Sequence, residues 1–139
     1  MDKKILIATH GELAKGFQSS LNILAGKGDE IQVINAYVSD EDYTPQLVEF
    51  IESVKENEQG VIFTDLFGGS VNQKALTEVL TAKKENIFII SNANLAVVLS
   101  IIFSVENVLT KEAIEAAINE SQVKLVETTI SSDDEDAFF

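Results

Sequence analysis

Four short apolar runs punctuate the chain: Ile5-Leu6-Ile7-Ala8, Ile31-Gln32-Val33-Ile34, Val61-Ile62-Phe63 and Ile87-Phe88-Ile89-Ile90. Short runs that are apolar on both faces read as parallel strands covered from both sides. Between them the period lengthens to three and four. Leu13, Phe17, Leu21 and Leu24 make one helical stripe, and Leu47, Phe50, Ile51 and Val54 a second, with Pro45 suited to its first turn. Ala75, Leu76, Val79 and Leu80 make a third. This alternation predicts an α/β fold, an open doubly wound and mostly parallel sheet with helices on both faces.

Past the fourth strand the pattern changes. Asn94-Leu95-Ala96-Val97-Val98-Leu99-Ser100-Ile101-Ile102-Phe103 is apolar nearly all round, yet well short of the ~20 residues that span a bilayer. It predicts a helix buried on several sides, with a subunit interface supplying part of the cover. Lys111 to Ser121 predicts another helix, with Ala113, Ile114, Ala117 and Ile118 inward. Val123, Leu125 and the stretch Glu127 to Ile130 alternate as a half-buried strand at the edge of the sheet. One domain over residues 1–130 is expected, followed by an acidic tail, 131–139, whose Asp133-Asp134-Glu135-Asp136 reads as a solvated end.

Charge narrows the partners. The chain has 10 Lys+Arg against 23 Asp+Glu, a formal net charge of −13, which repels nucleic acid and anionic lipid. Every basic residue is a lysine, so any phosphate is handled without a guanidinium fork. With no cysteine there is no thiolate or disulfide chemistry. Met1-Asp2-Lys3-Lys4 leads straight into strand-like sequence rather than a secretory leader, so a cytoplasmic location without membrane insertion is expected.

Two strand ends carry the polar chemistry. The first strand delivers Thr9-His10-Gly11, with the only histidine; the third delivers Thr64-Asp65-Leu66-Phe67-Gly68-Gly69-Ser70 ahead of a helix. Open α/β sheets bind ligands beyond the carboxyl ends of their strands, where strand order reverses. In a 2-1-3-4 order the reversal falls between strands 1 and 3, about 4.8 Å apart, which lets His10 and Asp65 touch. A carboxylate accepting from Nδ1–H would leave Nε2 as a free nucleophile. Gly68 and Gly69 let backbone N–H groups turn toward a ligand at the positive end of the following helix. Thr9, Thr64 and Ser70 add hydroxyl donors. Each residue also has a plainer role open to it: His10 as a strand-end histidine, Asp65 as a turn former, Ser70 as a helix cap.

Other chemistries lack their motifs. There is no P-loop, no Gly-x-Gly-x-x-Gly and no nucleophile-elbow serine. One histidine without cysteine makes a poor zinc site. No cofactor or metal is expected, and a phosphoryl carrier at His10 is the reading that remains.

Ile7-Ala8-Thr9-His10-Gly11, followed by Val61-Ile62-Phe63-Thr64-Asp65-Leu66-Phe67-Gly68-Gly69-Ser70-Val71-Asn72, resembles the IIA component of the mannose/fructose/sorbose family of the bacterial phosphoenolpyruvate-dependent sugar phosphotransferase system. The likeness covers about Lys3 to Ile130. It implies that His10 accepts a phosphoryl group from HPr and passes it to a separate IIB component, which serves sugar entering through IIC and IID. It also implies that Asp65 orients His10 and that Ser70 with adjoining amides cradles the phosphate. A homodimer is implied too, in which a C-terminal strand, here Val123 to Ile130, crosses antiparallel onto the partner's sheet. A IIA-like subunit of a phosphotransferase-dependent dihydroxyacetone kinase, or a regulatory module switched at His10, would share this chemistry. The chain departs from the family at Val71, where many relatives have proline. It departs again at Asn92-Ala93-Asn94-Leu95-Ala96, where a Gly-x-Asn-Leu-Pro run is usual. Asn tolerates the left-handed backbone that glycine adopts, so that turn is expected to survive.

Overall fold

A computed structural model describes residues 1–130, and the expected acidic tail lies outside the described residues. In chain order the elements are β1 (Asp2–His10), α1 (Leu13–Ala25), a 3-10 turn (Gly28–Glu30), β2 (Ile31–Ala36), α2 (Thr44–Ser53), β3 (Glu58–Thr64), α3 (Ser70–Ala82), β4 (Ile87–Ile90), α4 (Leu95–Ile102) and α5 (Lys111–Glu120). The sheet order is β2-β1-β3-β4 with every pairing parallel, as the alternating pattern predicts. Ile5 lies opposite Ile31 on one side and Val61 on the other, which seats β1 at the centre of the sheet.

Because successive strand residues face opposite sides, β1 feeds two cores. Ile5 and Ile7 join Val61, Phe63, Leu21, Val98 and Ile114, the layer covered by α1, α4 and α5. Leu6 and Ala8 join Ile34, Ile62, Leu47, Phe50 and Ala75, the layer under α2 and α3. Complete burial of a side chain such as Phe63 or Leu6 stabilises the fold by about 1.5–3 kcal/mol.

The α2 stripe is buried as its spacing predicts, with Leu47, Phe50, Ile51 and Val54 all covered, but the stripes of α1, α3 and α5 are narrower. In α1 the buried residues are Ala14 and Leu21, while Leu13 and Leu24 are more than half exposed. In α3 Ala75 and Val79 are buried and Leu76 and Leu80 face out. Small alanines let each helix sit close to the sheet, so the contact line passes through them and the bulkier neighbours flank it. In α5 Ile114 and Ala117 point inward and Ile118 lies at the exposed margin. The expected edge strand over Val123 to Ile130 is not found: among the described residues this segment pairs with no strand, and Val123, Leu125 and Val126 are largely exposed. A strand exists only through its ladder, and a lone chain offers this segment no partner.

The fold is fastened on its far side by Gln59, a buried side chain of β3. Its amide donates to the Leu109 carbonyl at 2.9 Å and accepts from the Leu109 N–H at 2.8 Å, anchoring the loop between α4 and α5.

Candidate functional site

β1 and β3 run side by side and finish together, so Thr64 pairs with Ala8 and the chain delivers His10 and Asp65 to the same rim. Asp65 is pinned by three donors. Its Oδ2 accepts from the His10 backbone N–H at 2.8 Å and from His10 Nδ1 at 2.9 Å, and its Oδ1 accepts from the Leu66 N–H at 3.0 Å. Burial opposes charge on this carboxyl, but the His10 backbone N–H, the His10 ring bond and the ring's charge outweigh it, holding its pKa below the usual carboxylate range. The carboxylate side chain is 10% exposed and the imidazole 42%, an oriented ring with an open face.

That orientation decides the tautomer. An ionised carboxylate only accepts, so Nδ1 carries the proton and, in the neutral ring, Nε2 presents its lone pair outward. Ser70 Oγ stands 3.2 Å from Nε2. The plainer role of Ser70 as a helix cap is not taken: Gly69 holds the N-cap position with extended φ and ψ, and Ser70 is the first residue of α3. Released from capping, its hydroxyl is free to face the histidine. The first amides of α3 have no carbonyl behind them in the helix, leaving positive partial charge beside the ring.

The other expected donors divide. Gly68 takes a left-handed φ of 76° that favours glycine. The Gly69 N–H closes that turn on the Leu66 carbonyl at 3.0 Å, and a side chain at Gly69 would press on Leu66. Thr9 and Thr64 do not join His10. Thr9 is buried, and its hydroxyl accepts from the Ala14 N–H at 2.8 Å, securing the first turn of α1. Thr64 is buried with its hydroxyl between Asn72 and Ser91. These strand-end hydroxyls follow the alternation of their strands into the interior.

Two further residues belong to the site. Asn92 adopts φ 52°, the left-handed backbone expected of it, and its Oδ1 accepts from the Phe67 N–H at 2.7 Å, tying the third and fourth strand ends together. Tyr37, just past β2, packs its ring 5.2 Å from the imidazole centroid and places its hydroxyl 2.9 Å from Ser70 Oγ. Its position after a strand adjoining β1 was the available signal.

Comparison with known proteins decides the family. The model of the EIIA-man family, described as the PTS system fructose IIA component, matches residues 4–118. The chain belongs to this family. Membership makes it a component of a phosphotransferase system, and phosphoryl transfer is that system's chemistry. Among solved structures, the mannose/sorbose-specific IIA subunit from Enterococcus faecalis superposes with a TM-score of 0.75 at 19% identity, over 95% of this chain and 100% of that one. EIIA from Streptococcus agalactiae superposes at 0.71 with 24% identity, over 88% and 96% of the two chains. The IIA protein associated with the fucose utilization operon of Streptococcus pneumoniae does so at 0.73 with 21% identity, over 89% and 93%. At these identities the structures speak for a shared fold. No curated protein matches the chain. Among the described residues, no helix is long and apolar enough to cross a membrane.

Proposed function

We propose that this IIA chain is a cytoplasmic phosphocarrier that takes a phosphoryl group from phospho-HPr onto His10 Nε2 and passes it to a separate IIB component. IIC and IID are then reached only through IIB, in uptake and phosphorylation of a sugar. The observation that carries the reading is the His10–Asp65 pair, with Nδ1 held at 2.9 Å from Oδ2 and Nε2 turned to the open face.

Transfer between two imidazoles asks the protein for in-line positioning and charge stabilisation. The Nε2 lone pair attacks phosphorus, and the donor's imidazole nitrogen leaves with its bonding pair. Asp65 keeps the Nδ1 proton in place and offsets the positive charge that the phosphorylated ring acquires. Ser70 and the opening amides of α3 are neutral donors for the phosphoryl oxygens, a cradle that lets the group depart again. Leu66 and Phe67, which follow Asp65 in the chain, stand exposed, an apolar rim suited to a protein partner. The exchange of Val123 to Ile130 between two chains would give that exposed segment its missing ladder.

Incubation with phosphoenolpyruvate, enzyme I and HPr, read by intact mass, is expected to add one acid-labile phosphate to the chain and none to His10→Ala. A wild-type chain that stays unmodified would sink the carrier reading.

A further inference from the structure

Tyr37 is held in an unfavourable backbone conformation. Its φ is 67°, a left-handed geometry that crowds a Cβ against the following carbonyl oxygen and that concentrates at functional positions. The surroundings enforce it. The Gly11 N–H donates to the Ala36 carbonyl at 2.8 Å, the phenol ring lies tilted on His10, and the buried Tyr43 ring meets its other side edge-on at 5.6 Å.

The direction of each hydroxyl follows from the carboxylate. Asp65 accepts from Nδ1–H, so Nε2 of the neutral ring accepts. Ser70 therefore donates to Nε2, and its oxygen is left to accept from the Tyr37 O–H. The Ser70 side chain alone is a free rotor; the phenol donor selects the one setting that aims its proton at His10.

We propose that Tyr37 is a positioning residue for phosphoryl transfer at His10, fixing the Ser70 hydroxyl so that its proton meets the incoming group. The proposal rests on the phosphocarrier reading of His10. As the bond from Nε2 to phosphorus forms and the bond to the donor nitrogen breaks, Nε2 stops accepting. The Ser70 proton, already aimed at that position, turns to a phosphoryl oxygen, while Tyr37 continues to donate to Ser70 Oγ. No proton leaves any residue. In a chain without arginine, an ordered line of neutral hydroxyls takes the place of a guanidinium clamp.

Tyr37→Phe keeps the ring on His10 and removes the donor. It is expected to slow phosphoryl uptake from HPr roughly three- to tenfold, the size of one neutral hydrogen bond, with KM for HPr within about twofold of wild type. Because Tyr37 acts through Ser70, the double variant with Ser70→Ala is expected to be no slower than Ser70→Ala alone. A wild-type rate in Tyr37→Phe overturns the proposal, as does a double variant in which the two losses multiply. The ground-state relay has its own readout that requires no phosphate. The chain has two tyrosines and no tryptophan, so phenolate absorbance at 295 nm resolves them. Once the phenol ionises it can only accept, so the Ser70 hydroxyl turns to donate to it and draws the Tyr37 pKa below its ordinary value, while burial pushes that of Tyr43 up. Ser70→Ala is expected to move the lower transition up toward about 10; an unmoved transition means that no hydroxyl bond joins Tyr37 to Ser70 and overturns the relay even when His10 loads normally. Failure of wild type to load phosphate removes the carrier reading and the transfer role of Tyr37 together, whatever the titration gives.

Discussion

Asp65→Asn preserves shape and removes one charge at the base of the site. The amide oxygen is held where Oδ2 now sits, because the His10 backbone N–H at 2.8 Å and Nδ1–H at 2.9 Å converge there. The amide NH2 is thereby turned toward the Leu66 N–H, donor against donor, in place of the bond at 3.0 Å. Two charge-assisted bonds become neutral, at about 1 kcal/mol each, and one bond is lost, at about 1 kcal/mol. Partial exposure to water reduces that sum, so urea unfolding at pH 7 is expected to show a loss of roughly 1–3 kcal/mol. The tautomer survives, so His10 still attacks through Nε2, but the phosphorylated ring loses its counter-charge. About 1.5–3 kcal/mol of that stabilisation corresponds to roughly a 10- to 100-fold slower uptake of phosphate in rapid-quench assays. The pH dependence has a definite sign. The folded pKa of Asp65 is depressed, so its charge stabilises the fold above the unfolded value of about 3.9 and that contribution disappears as pH falls through the folded value. The gap between wild type and variant is therefore expected to close in acid. Equal stability at pH 7, or a gap that widens as pH falls, would refute the electrostatic account, and equal rates would take Asp65 out of the chemistry.

Gln59→Leu fills a similar volume but leaves the Leu109 N–H and carbonyl without the partners they now have. A loss of roughly 2–5 kcal/mol in urea unfolding is expected, and a loss under about 1 kcal/mol would show that the α4–α5 loop does not depend on this anchor. A chain ending at Gln122 is expected to sediment as a monomer where the full chain sediments as a dimer. A monomeric full chain would rule out strand exchange, and a dimeric truncated chain would place the contact elsewhere.

The strand order and the His10–Asp65 meeting were legible because both depend on few physical rules: apolar runs, parallel crossovers, and the reversal of order between β1 and β3. Ser70 and Thr9 were harder. Whether a hydroxyl caps a helix or faces a ligand turns on one residue of offset, and here Gly69 takes the cap while Thr9 turns inward to α1. Leu13 and Leu24 show the same limit in packing, since periodicity marks an apolar face without marking which line of it touches the sheet. Val123 to Ile130 is alternating enough for a strand, but pairing is a property of two segments, and among the described residues no strand pairs with it. Tyr37 stood outside any motif because its place depends on a loop that folds back from β2 across the neighbouring strand end.

The direction of β1 has a practical consequence for handling the protein. Its nine residues run from Asp2 to His10, about 26 Å from end to end at the usual rise of a strand. Met1 therefore leaves the molecule at the opposite pole from the histidine, where its amino group donates to Asn107 Oδ1 at 2.8 Å. An affinity handle or sensor-chip linkage attached through Met1 would present the reactive rim outward, toward whatever flows past.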